Sequence, residues 1–67
     1  MRFINIQTKF GENIAINAKM ITSIQYMHDA VFIFTSGGGS FATQFTDINH
    51  AVDYIQRAPS MSLGRVA

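Results

Sequence analysis

The chain has no cysteine and no tryptophan, a single proline, and charged side chains at only 13% of its 67 positions. Without cysteine, disulfides and zinc–thiolate sites are excluded. Two histidines, His28 and His50, make no metal cage unless carboxylates or a second subunit join them. Sparse charge combined with 48% apolar residues also argues against intrinsic disorder, which needs the opposite balance. The cations Arg2, Lys9, Lys19, Arg57 and Arg65 are scattered, against Glu12, Asp29, Asp47 and Asp53, for a formal net charge of +1. No basic run offers a footprint for duplex nucleic acid. No apolar stretch approaches the length of a membrane span, and the start lacks the long apolar region of a signal peptide. A cytoplasmic protein with no membrane partner is the expectation.

Sixty-seven residues suit one domain. A chain of this size buries only about 60% of its unfolded surface, so its core needs a supplement. With no disulfide to serve, self-association is expected, most simply as a homodimer.

What is present reads largely as strand. Ile4 and Ile6 alternate with Phe3, Asn5 and Gln7, a period of two. Phe10-Gly11-Glu12-Asn13 reads as a turn, after which Ile14 and Ile16 resume the alternation. Asn17 can accept from amides just ahead, so a helical turn is expected over residues 18–20. A strand follows through Ile24 and Tyr26, then a turn at Met27-His28-Asp29-Ala30. Residues 30–35, AVFIFT, form the most strand-like run, with Val31 and Ile33 on one face and Phe32 and Phe34 on the other. A sheet with one wet face alternates apolar with polar, and this run does not. One face is expected to meet a helix and the other something else.

Gly37-Gly38-Gly39 come next. A phosphate-binding loop leads into a helix, but these glycines lead into Ser40-Phe41-Ala42-Thr43-Gln44-Phe45, a further strand. Their spacing fits neither G-x-x-x-x-G-K-[ST] nor G-x-G-x-x-G, so a hairpin turn is predicted. Thr46-Asp47 then caps a helix whose Ile48, Ala51, Val52 and Ile55 form one apolar stripe, ended by Pro59. The predicted class is α+β: an antiparallel sheet of about four strands with one C-terminal helix packed on one face. Residues 1–58 make the domain and 59–67 a tail, loose unless docked.

Catalytic chemistry is thinly represented. Ser36 and Ser40 flank the glycines without a strand-to-helix elbow to present a nucleophile. His50 precedes Asp53 by three residues on the predicted helix, close enough for a surface pairing. The four acidic residues fall in four separate segments, so no paired-carboxylate site follows from spacing. No enzyme activity, catalytic residue, cofactor or metal is expected. Tyr26, Phe32, Phe34, Phe41 and Phe45 are the candidate interface residues. An aromatic sheet can also stack single-stranded bases, but such modules interleave Lys or Arg, and residues 20–56 contain neither. Nucleic acid is therefore the lesser alternative.

Two resemblances add to this reading. Gly11, Glu12, Ile14, Ile16, Asn17, Ala18, Met20, Ile21 and Ile24 follow the pattern G-E-x-φ-x-φ-N-A-x-φ-I-x-x-I, where φ is apolar, and so resemble the small FlbD-like flagellar proteins. That resemblance implies a motility-associated regulatory role. The ends, through Met1, Phe3, Ile4, Phe45, Pro59, Leu63, Gly64, Arg65 and Val66, are similar to a small phage-encoded type I-F anti-CRISPR family. This second likeness implies an inhibitor that occupies a surface on a host protein complex. Both agree with a non-enzymatic protein that acts by binding protein.

Overall fold

The computed structural model describes residues 2–61. The elements run β1 (Phe3–Gln7), β2 (Asn13–Asn17), a single 3-10 turn (Ala18–Met20), β3 (Ile21–Met27), β4 (Ala30–Thr35), β5 (Ser40–Ala42) and α1 (Ile48–Arg57). This is an antiparallel α+β fold. Its five strands are divided between two sheets, β1–β2 and β3–β4–β5, where about four strands in one sheet were predicted. The division arises at the 3-10 turn. The Asn17 side chain accepts from the Lys19 amide at 3.1 Å, closing a turn that redirects the chain, so β3 pairs with β4 and not with β2.

In the first sheet Ile4 lies opposite Ile16 and Ile6 opposite Ile14, while Gln7 faces Asn13 and Asn5 faces Ala15. One face is thus branched aliphatic, and the other carries Asn5, Gln7, Asn13 and Asn17 beside Phe3 and Ala15. Ile4 and Ile6 are fully buried and share a core with Ile33 and Ala58, flanked by Ile16, Ile21, Ile24, Phe41, Phe45, Tyr54 and Ile55. Burial of each such isoleucine contributes about 1.5–3 kcal/mol.

The two sheets join through β1. Thr8 bridges Thr43, the Lys9 amide donates to the Ala42 carbonyl at 3.0 Å, and the Gln44 amide to the Gln7 carbonyl at 3.3 Å. Further back along the same edge, the Tyr54 hydroxyl donates to the Asn5 carbonyl and the Met61 amide to the Phe3 carbonyl at 2.7 Å. The edge of β1 turned away from β2 is thereby closed by partners from three parts of the chain, which removes a site for stray strand pairing. Arg2 sits beside it and donates to the Ile55 and Ala58 carbonyls, a cation on the otherwise unpaired C-terminal end of α1.

Asp47 caps α1, its carboxylate accepting from the His50 amide at 2.8 Å. The buried stripe runs through Ala51, Tyr54, Ile55 and Ala58, with Ile48 left 38% exposed in the first turn. Of the predicted stripe Ala51 and Ile55 lie inward and Val52 is half-buried, and the Tyr54 hydroxyl bond to β1 adds that residue to it.

The glycines connect β4 to β5 as a hairpin turn. Gly37 and Gly38 both hold φ at +92°, a region L side chains avoid, and the Thr35 amide donates to the Gly39 carbonyl at 2.9 Å. No helix among the described residues is long and apolar enough to cross a membrane. The tail beyond Met61, with Leu63, Gly64, Arg65 and Val66, lies outside the described residues, as does Met1.

Candidate protein-binding face

β4 carries the contrast that defines the site. Val31 and Ile33 are completely buried, while Phe32 and Phe34 lie on the opposite side of the strand, half-buried. The register gives Phe32 and Phe34 only small or uncharged neighbours: Gln25 and Ser23 across on β3, Ala42 and Ser40 across on β5. None of these is bulky enough to roof a phenyl ring. The two rings stand 6.5 Å apart, tilted by 35°. No residue of the three strands is charged, so charge lies only in the turns at the rim of the outer face.

Two turns extend this face. His28 and Asp29 form the two-residue connection between β3 and β4, with φ of +52° and +59°. Such a turn normally takes Asn-Gly or Asp-Gly, because side chains at positive φ cost roughly 1–2 kcal/mol each. Here the strained turn sets the His28 ring edge-on to Phe32, with centroids 6.4 Å apart. The second turn, between β1 and β2, is held by the Thr8 amide donating to the Glu12 carbonyl at 2.7 Å and by Gly11 at φ +89°. At its tip Phe10 is 86% exposed. Phe10, His28, Phe32, Phe41 and Ala42, with Thr8 and the charged Lys9 and Glu12 at one side, line a shallow cleft of about 390 Å³.

The five sequence-selected residues do not share one face. Phe32 and Phe34 lie outside. Phe41 is paired opposite buried Ile33 and packs against the core, though it reaches the cleft wall. Phe45 also packs inward, its ring 5.5 Å from that of Tyr54. Tyr26 is 54% exposed at the far end of β3, opposite Val31. Sequence reasoning passed over Phe10, although an apolar ring in a turn beside glycine was itself the signal. It also passed over Tyr54, which the helical spacing from Ala51 and Ala58 would have placed inward.

The remaining polar candidates are engaged locally. His50 pairs with Asp47 at 3.0 Å, not with Asp53, which instead meets Arg57 at 2.7 Å. The cap explains the change: Asp47 already accepts from the His50 amide, so its second oxygen lies beside the imidazole. Among the described residues no three His, Asp or Glu side chains come together where a metal ion could sit. No protein-family model, no curated protein and no solved structure matches the chain.

Proposed function

We propose that this is a non-enzymatic protein-binding module that docks through the outer face of β3–β4–β5. The observation that carries the reading is the pair Phe32 and Phe34 on the outer side of a sheet whose inner side already makes the core, extended by the exposed ring of Phe10. Strands without charge that carry aromatic rings, with Lys9, Glu12 and Asp29 only at the rim, have the composition of an interface centre, where charge is depleted and aromatics are enriched. It is also unsuited to nucleic acid, since no Lys or Arg lies on the three strands to meet phosphate. In the isolated protein the face pairs with a second copy about a two-fold axis, which supplies the burial a chain of this size lacks.

The likeness of the ends to the type I-F anti-CRISPR family gives the sharper version: an inhibitor carried by a mobile element, occupying a surface of a host complex. A second reading has its own support. Over residues 11–24 the chain runs turn, strand, 3-10 turn, strand, in step with the FlbD-like pattern, which favours a motility-associated role. Affinity capture from bacterial lysate separates the two by the proteins retained. The expected result is specific retention of one complex by the wild-type chain, lost on Phe10→Ser and Phe34→Asp and kept on Gln56→Asp. Retention unaffected by the two phenylalanine substitutions would place the docking face elsewhere.

A further inference from the structure

A second surface, on the N-terminal sheet, has different chemistry. The outward positions of β1 and β2 include Asn5, Gln7, Asn13 and Asn17, with no charged residue in either strand. Asn17 is occupied as a cap, but the other three converge with Gln44, Phe45 and Tyr54 on a cleft of about 230 Å³ floored by Ile6. No Lys, Arg, Asp or Glu lines it. Each carboxamide offers two donors and an acceptor in one plane. Their bonds to the protein are long, Asn5 to Asn13 at 3.4 Å and Gln7 to the Gly11 carbonyl at 3.5 Å, which leaves most of that capacity for a ligand or water.

We infer that this cleft binds a neutral saccharide. Hydroxyls in vicinal pairs both donate and accept, as a carboxamide does, and a pyranose turns its C–H bonds towards the negative face of an aromatic ring. The rings of Phe45 and Tyr54 line the cleft but pack on each other, 5.5 Å apart and tilted by 49°, so they leave a planar base no parallel slot between them to stack in. A nucleotide would also bring a phosphate to a site with no cation.

The test is titration of the nitrogen-15-labelled full chain with neutral tetrasaccharides built on glucose, galactose or N-acetylglucosamine, and with adenosine as the planar control. Side-chain NH2 signals of Asn13 and Gln44 report directly. At least one tetrasaccharide is expected to shift both signals saturably while adenosine leaves them in place. Gln44→Ala, at an exposed position, should weaken that binding about fivefold, the worth of one neutral hydrogen bond. Silence with all three sugars, equal shifts with adenosine, or unchanged affinity in Gln44→Ala would each overturn the assignment.

Discussion

The two sheets solve the same problem differently on their outer sides. Both turn branched residues inward, Ile4 and Ile6 from β1 and Val31 and Ile33 from β4, and both inner faces are fully buried there. Outward, β1 presents Asn5 and Gln7 with the half-buried Phe3 at one end, whereas β4 presents Phe32 and Phe34 as adjacent rings. Water satisfies the amides of the first arrangement. It does not satisfy the second, since each phenyl ring left in contact with water forgoes part of the roughly 1.5–3 kcal/mol its full burial would supply. The difference teaches that the second sheet carries adjacent rings on its outer face, whereas other exposed apolar side chains, such as Met20 and Ile48, stand singly.

The inner faces should behave alike, and with the largest effects. Ile6→Ala and Ile33→Ala each remove a buried side chain and should cost about 2–5 kcal/mol, which urea denaturation will read as a lowered midpoint or an unfolded chain. If either costs under about 1 kcal/mol, that side chain is not part of the shared core.

The outer faces should behave differently. Dimer formation makes the unfolding temperature rise with protein concentration. Phe34→Asp should abolish that dependence, weakening the dimer by about 2 kcal/mol or more as interface-centre residues do. Gln7→Asp should preserve it. Equal responses from the two substitutions would erase the distinction between the faces.

Smaller effects come from the turns that bound the aromatic sheet. Gly38→Ala places a Cβ at φ +92° with open space around it, so backbone strain alone should cost about 1–2 kcal/mol by thermal denaturation. Asp29→Gly runs the other way. Relieving a non-glycine residue at φ +59° should stabilise the fold by about 1 kcal/mol, less the entropy glycine adds to the unfolded chain. A loss there would mean that the turn's side chains hold it more strongly than its backbone resists.

Periodicity made most of the elements legible in advance. Residues 30–35 read as a strand from their β-branched and aromatic content, the Asn17 cap from its side chain, the hairpin from three glycines followed by strand residues. These are local signals, and local physics decided them. The split into two sheets was not legible, because it depends on where the 3-10 turn aims β3, a long-range matter. Nor was the sorting of the phenylalanines. Phe41 turns inward because it pairs with Ile33, and that register is fixed by the exact geometry of the Gly37–Gly38 turn, which composition does not encode. Phe10 was legible in principle, as a ring stranded in a turn.

Sedimentation equilibrium of the wild-type chain beside Phe10→Ser, at tens of micromolar, tests the central claim most directly. Phe10 is almost fully exposed, so replacing it leaves the core untouched and any change reports on association. The expected result is a monomer–dimer equilibrium in the wild type, shifted towards monomer by the substitution. A folded monomer throughout in the wild type, or a dimer indifferent to the loss of Phe10, would contradict a docking face built from the aromatic side of the second sheet.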